Sequence, residues 1–527
     1  MLLASLLATA PGFGNPVAHG ATHDPAASIP WFQGSVDAAF VEARKQNRPV
    51  FLFWGAAWCP YCQDLKASVF PRPDFLAKLS FFVPVNLDGD APGAQKIADT
   101  FHVSGYPTVL VLKPDRSELA RISGGMDLNR YAEVLDGVLG DVKPVKEMLT
   151  SLEHSKAPLS VNDCRRLAYN AWSLDPENTS GPAELRNTSV ALERAAEHCP
   201  PTSKVERARL TILAAAAATD AEEDDLKAGK PPTGRAITLV NAVIVILADI
   251  DLSTSVADSF QELSQNFFLA AKRSAPDAAV SLSKRWIAVM SAAATDKRFS
   301  EGQRLAAVAS ELSAAQALDP QGAVPPQLAA SARARLKETL SHKQDSYTRA
   351  AVINAAMDIL DTLKEPQLAY DIVEAELKTA NAPYYYMLHL ATLDEELGRK
   401  DEAIAWMKRA YQESKGPATR FRWGTAYVTG LIRLRPADTA GIRDATLSVL
   451  SELDTRDAIH SGTAARVQRL DKALRKWNTG TPHDEVIRAA RARMNEICAK
   501  GPQIKADSAK TDKSDDASSA CRNFLTT

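Results

Sequence analysis

The chain lacks a charge excess of either sign. Its 62 Lys and Arg residues face 64 Asp and Glu, a formal net charge of −2. No basic surplus is present to neutralise a phosphate backbone, so nucleic acid is not an expected partner. Cysteine is scarce too: 6 in 527 residues, too few for a disulfide-built scaffold, so each must be read in its own setting. Long apolar runs are missing as well. The run Ala236–Ile250 falls short of the ~20 residues that cross a bilayer. It also carries Asn241 and Asp249. It is expected to form a buried helix, leaving no integral membrane segment in the mature chain. What is present, 45% hydrophobic and 24% charged residues, is the composition of a folded globular protein. The length suggests roughly two to four domains.

Met1–Ala10 opens the chain with a short apolar run of small residues and leucines. Residues 1–21 are expected to be a secretory signal, with Ala18-His19-Gly20 as a small-x-small cleavage site and Ala8-Thr9-Ala10 as a second one weakened by Pro11. The basic start of a signal is absent, so a late start codon or a plain apolar tail stays open. The expected location is periplasmic or otherwise secreted. Cys59 is the first cysteine, so none stands near the N-terminus to carry a lipid anchor.

Residues 30–142 read as a compact α/β unit. Ser35 can cap a helix to about Asn47, with Val36, Ala39, Phe40 and Ala43 on one face. Val50–Trp54 is apolar without alternation, the pattern of a fully buried strand. Then comes Trp58-Cys59-Pro60-Tyr61-Cys62, followed by a helical pattern through Leu65, Val69 and Phe70. Phe81–Leu87 is expected as a second strand, Ala94–Phe101 as a helix, Thr108–Leu112 as a third strand, Ala120–Ser123 as its returning partner and Asp127–Leu139 as a last helix.

The Trp-Cys-Pro-Tyr-Cys run after a buried strand, with Gly105-Tyr106-Pro107-Thr108 before the next long strand, resembles the thioredoxin-fold family. Trp31–Pro49 and Phe70–Phe75 resemble the branch that includes the C-terminal domain of the bacterial periplasmic reductant transporter DsbD. The resemblance covers about residues 30–142 and implies thiol–disulfide exchange. The residues permit that chemistry. Cys59 lies where a strand ends and a helix begins, so unpaired amides and the helix dipole favour its thiolate, the attacking species in exchange. Cys62, one turn later, can resolve the mixed disulfide. A purely structural disulfide is the alternative. A metal pair is disfavoured, since His102 is the one nearby ligand candidate, and no cofactor is called for. The resemblance makes Pro107 a cis-proline facing the cysteines and Trp58 a flat wall beside the nucleophile. With Pro60, Tyr61 and Tyr106 they form the expected substrate-binding set.

Two departures stand out. Thioredoxins carry a buried carboxylate six residues before the nucleophile; Phe53 occupies that position here. The lysine paired with it in thioredoxins falls near Pro84. Asp64 and Asp88 are the candidates to move Cys62's proton. Pro60-Tyr61 matches glutaredoxins, but Trp58 and the strand order do not, and nothing in the residues indicates glutathione binding.

From about Val145 strand-like runs vanish. Residues 145–340 read as a helical domain. Residues 341–500 read as helical repeats: Ile359, Leu393 and Tyr427 recur at a spacing of 34, as do Leu363, Leu397 and Leu431, and Ala369, Ala403 and Ala437. The unit around Leu397–Ile404 resembles a tetratricopeptide repeat, implying a curved surface that binds a protein partner; a spacer or dimerisation surface is the alternative. Tyr384-Tyr385-Tyr386 reads as helix-face packing rather than groove lining, and Asp220–Asp225 as a solvated loop. Cys164 with Cys199, and Cys498 with Cys521, are spaced as structural staples of an oxidising compartment, four free thiols being the alternative. Residues 501–527 are polar and expected to be a flexible tail.

The expected fold class is an α/β thioredoxin-like domain followed by an all-α helical-repeat domain. The expected function is exchange of disulfides with protein substrates, in the reductive direction, with an unidentified thiol-redox donor or acceptor. The rival is a non-catalytic adaptor whose repeats bind a protein partner.

Overall fold

The computed structural model describes residues 29–500 and 520–526, apart from Ser123, Gly125, Asp127, Asp141, Ser155, Lys156, Ser264, Ala275, Pro320, residues 455–458, Thr481 and Arg522. The expected signal, residues 1–21, and most of the expected tail lie outside the described residues.

Four strands form one sheet in the order β2-β1-β3-β4: β1 Val50–Gly55, β2 Val83–Asp88, β3 Thr108–Leu112 and β4 Glu118–Ile122. β1 runs parallel to β2 and antiparallel to β3, and β4 folds back on β3 with a register shift at Val111/Leu112. β1 is buried along its whole length, as its unbroken apolar sequence requires. Its side chains divide between two faces. Val50, Leu52 and Trp54 meet α1 (Val36–Gln46) and α4 (Ala94–Thr100). Phe51 and Phe53 point into a core that continues, without a break, to Leu318. Helices α2 (Pro60–Ser68), α3 (Pro73–Leu79) and α5 (Arg130–Gly137) lie on this second side. β2 begins at Val83, later than the sequence pattern suggested; Phe81 is exposed and Phe82 is the residue that packs inward.

The helical region closes the sheet's open edge. Ala171 N donates to Arg121 O at 2.7 Å, and Arg121 N donates to the Asn170 side chain at 3.1 Å. Arg121, 2% exposed, also donates to Phe101 O at 2.8 Å and His102 O at 3.1 Å. Arg166 donates to Leu119 O at 2.9 Å. An edge strand left open is a template for aggregation, and the helices cover this one.

Beyond residue 145 the described residues are helical, without strands. Asp220–Asp225 is not a loop. It forms the last turns of the Lys204–Lys227 helix, because Glu223 pairs with Arg273 at 2.9 Å and Asp225 with Arg186 and Lys230. The Ala236–Ile250 run is buried on one side alone: Val240 and Val243 are inside, whereas Val245 is 71% exposed. Three antiparallel helix pairs follow: Ser346–Thr362 with Pro366–Glu376, Pro383–Glu396 with Lys400–Glu413, and Pro417–Leu434 with Thr439–Ser451. The 34-residue pattern coincides with the step from Pro383 to Pro417. No helix of the described residues is long and apolar enough to cross a membrane.

Cys164 and Cys199 are joined, with Cα atoms 5.8 Å apart, tying Val161–Ala168 to the end of Pro182–His198. Cys498 and Cys521 are joined at 5.9 Å, and the short piece after Cys521 docks on the Ser461–Gly480 helix, where Leu525 N donates to Asp471 at 2.6 Å. Peptide mapping of the unreduced protein should recover both cross-links. Replacing Cys164 and Cys199 by alanine should lower the unfolding free energy by about 3 kcal/mol, read by urea titration.

Candidate functional site: a disulfide covered by helices

Cys59 has an extended backbone and is the N-cap of α2; its Sγ accepts from Cys62 N at 3.1 Å, and Pro60 takes the first helical position. A thiolate in this place faces the free amides and the positive end of the helix dipole. Cys62 lies one turn on, and the two form a disulfide with Cα atoms 5.2 Å apart. Both residues are buried, at 2% and 0% exposure.

The cover comes from the helical region. α2 packs along Ser346–Thr362. Tyr61, 50% exposed, bonds with Asn354, which also accepts from the Tyr385 hydroxyl at 2.9 Å. Trp58 is held on several sides. Its ring stacks on Tyr385 with centroids 6.1 Å apart, meets Trp423 at 5.1 Å and Tyr106 at 5.4 Å, and lies under the Arg422 guanidinium. Trp58 Nε1 donates to Thr419 Oγ1 at 2.8 Å. Of the tyrosine trio, Tyr384 and Tyr386 pack inside the helices, and Tyr385 reaches the redox motif.

Thr419 in turn donates both its N–H, at 2.9 Å, and its hydroxyl to Asp90, in the loop after β2. Asp90 thereby caps the Pro417–Leu434 helix, whose own N-cap is Gly416. Only glycine suits position 416: φ is +84°, and a Cβ would stand 2.2 Å from Asp90 Cβ. Burial pushes the Asp90 carboxyl above the usual carboxylate value, opposed by the Thr419 bonds.

Tyr106–Pro107 is a cis peptide. Tyr106 stacks on Trp54 at 5.5 Å and receives a bond from Gln95 at 3.1 Å; burial raises its hydroxyl to about 12. Pro107 is buried, with Gly124 so close that a Cβ there would lie 2.7 Å from the proline ring. The structure thus brings Trp58, Tyr106 and the two cysteines together, with Pro60 buried beside them and Tyr61 turned to the helices.

Phe53 stands where thioredoxins carry a buried carboxylate, packing on Phe70 at 5.0 Å and Trp31 at 6.4 Å. Of the substitutes, Asp88 is exposed and accepts from Asp90 N at 2.9 Å. Asp64 is buried and accepts from the Ser300 hydroxyl at 2.9 Å. Ser300 is the N-cap of Glu301–Leu318, in a capping box with Gln303. Burial raises Asp64 to about 6, with the Ser300 bond opposing it. Beside the motif opens a cleft of about 670 Å³, bounded by Trp58, Pro60, Gln63, Arg349 and Tyr385. Among the described residues no group of three or more His, Cys, Asp or Glu is placed to hold a metal.

Sequence reasoning missed Asp90, Ser300, Asn354, Thr419, Arg422 and Trp423. They lie in loops or on ordinary helices, and only their distant partners mark them.

Residues 36–139 match the family model of the thioredoxin-like domain. The thiol:disulfide interchange protein DsbD 1 of Pseudomonas aeruginosa is 31% identical over 104 residues, covering 19% of this chain and 18% of that protein. Protein disulfide isomerase-like 2-1 of Oryza sativa subsp. japonica is 27% identical over 148 residues, covering 26% of this chain and 40% of that protein. The chain thus spans less than half the length of these curated relatives.

Thr419→Val removes the hydroxyl that joins Trp58 to Asp90. It should speed reduction of the Cys59–Cys62 disulfide by dithiothreitol about tenfold, as local opening becomes easier with both hydrogen bonds of that hydroxyl gone. Timed alkylation reads the rate, and an unchanged rate would mean that the clasp does not limit access. Asp64 makes a second prediction. The folded protein keeps a proton that the unfolded chain releases near pH 4, so this contribution to stability is present at low pH and lost as pH rises through about 6. The loss is on the order of 3 kcal/mol. Asp64→Asn should therefore gain stability relative to the native chain between pH 4 and pH 8, measured by urea unfolding at both.

Proposed function

We propose that the protein is a thiol–disulfide oxidoreductase working on protein substrates in the reductive direction. The observation that carries this reading is the disulfide at the N-terminus of α2, with Cys59 as the cap and Trp58 and Tyr106 beside it. The match of residues 36–139 to the thioredoxin-like family and the likeness to two disulfide-exchange proteins support it.

In the reduced protein the Cys59 thiolate attacks one sulfur of a client disulfide. An S–S bond forms between Cys59 and that sulfur, and the other client sulfur leaves as a thiolate and takes a proton. Cys62 then loses its proton and attacks Cys59 Sγ. The Cys59–Cys62 disulfide forms and the second client thiol departs. The client gains two electrons and two protons, and a dithiol partner returns the motif to its reduced state. Trp58, Pro60, Tyr61, Tyr106 and Pro107 form the wall against which the client chain lies. The resemblance of residues 30–142 to the DsbD branch supports the reductive direction.

The helical repeats from residue 341 onward, tetratricopeptide-like in period, select the partner that reaches this site. The helix pairs that meet Trp58 through Tyr385 and Thr419 support this role. Export to an oxidising compartment agrees with the two joined pairs Cys164–Cys199 and Cys498–Cys521 and with the apolar start of the chain.

Cys62→Ser leaves the nucleophile without its resolving thiol. In cells it should accumulate mixed disulfides on Cys59 that dissolve with reductant, seen as shifted bands on non-reducing gels. With no trapped species and no reaction of the reduced native protein with a cystine peptide, the adaptor reading replaces the enzyme.

A further inference from the structure

A second cavity, of about 260 Å³, reaches the redox motif between Trp58 and Tyr106 on one side and Thr419, Arg422, His460 and Arg466 on the other. Its charges do not balance. The Arg422 guanidinium lies 4.6 Å from the Trp58 ring centre and 5.1 Å from that of Trp423. Arg466 donates to Gly462 O at 2.9 Å, one turn back in its own helix. Among the described residues neither arginine has a carboxylate partner, whereas nearby Arg420 pairs with Glu452 at 2.8 Å, Arg399 with Asp394 at 2.6 Å and Arg475 with Asp471 at 2.7 Å. The cavity's own carboxylate, Asp99, is one negative charge against these two arginines, and it acts on His460 as well. Burial keeps that histidine neutral at ordinary pH, its pKa lowered to about 4. Burial also lowers Arg466 to about 10, and the charges of Arg422 and Arg469 push the same way. Cations drawn partly out of water and crowded against one another are costly unless an anion joins them. The guanidinium fork fits a carboxylate in two-point fashion.

We propose that this cavity receives a carboxylate carried by the disulfide substrate, an acidic side chain flanking the client's cystine, with Arg422 and Arg466 as its counter-ions. The proposal rests on the exchange activity above and gives it a substrate preference: acidic segments are drawn to Trp58 and oriented there, neutral ones are not. Attraction of this kind weakens with salt.

The test is single-turnover oxidation of the full-length protein, reduced at the Cys59–Cys62 pair alone, by two cystine peptides that differ only in Glu or Gln beside the cystine. The Glu peptide should react about tenfold faster at low salt, and the ratio should fall toward one at high salt. It should fall likewise in Arg466→Gln, while Arg466→Lys, which keeps the charge, retains most of it and guards against a folding defect. Glutathione disulfide and its carboxyl-esterified form supply the second arm. An arginine-dependent preference for the free acid there, with none among the peptides, would assign the carboxylate to a small thiol and keep the site. Equal rates for the Glu and Gln peptides, and for both forms of glutathione disulfide, in the native protein would overturn the site and leave the exchange reading standing. No reaction with any of these disulfides would remove the exchange reading and this one with it.

Discussion

Asp90 reaches from the loop after β2 to the first turn of the Pro417–Leu434 helix, and the position of the cover over the disulfide depends on that contact. A helix start has free amides and partial positive charge; a carboxylate there typically contributes about 1 kcal/mol. Here the carboxylate comes from a different part of the chain. Capping the helix and docking it are therefore one event. Thr419, held by Asp90, accepts from Trp58, and Trp58 precedes Cys59. Three side chains thus link a helix start to the redox motif.

The covered disulfide sets terms for the chemistry. Exchange needs a thiolate to approach a sulfur directly, and a buried sulfur is reached only after local opening. The cover is suited to opening. It consists of α2 packed on Ser346–Thr362, the contacts of the Trp58 ring with Tyr385, Trp423 and Arg422, a few hydrogen bonds, and clefts on both sides of Trp58. The opposite face of the sheet and its outer edge are sealed by apolar side chains and by Arg121 and Arg166. Those contacts keep the framework fixed while the Trp58 side gives way. Asp64, buried against Ser300, adds a second polar link between α2 and the helices, one whose ionised form is unfavourable.

Much of the N-terminal unit was legible because its signals are local. An unbroken apolar run means a strand buried on both faces, and β1 is one. A cysteine at a strand-to-helix junction becomes an N-cap, as Cys59 does. The misreadings share a cause. Asp220–Asp225 was read as a loop from its acidity, yet those charges are neutralised by Arg186, Lys230 and Arg273, residues whose proximity no local pattern reveals. Phe81 and Phe82 look equivalent in sequence, and the packing of the α3–β2 junction decides which one turns inward. Tyr384–Tyr386 was correctly placed on a helix, but one ring in the trio meets the redox motif because the helix is rotated to present it.

By itself the sequence determined the sheet's inner strand, the three-residue cysteine spacing at a helix start, the proline before β3 and the helical, near-neutral character of the rest. These follow from backbone propensity and hydrophobic period, which act over a few residues. The tertiary structure decided that the motif is covered, that Trp58 is clasped rather than open, and that two arginines without a carboxylate partner among the described residues gather beside it. Trp58 and Thr419 are 361 positions apart, and Asp90 and Thr419 are 329 apart. Contacts across such separations arise from the packing of whole helices against the sheet, which no spacing rule along the chain encodes.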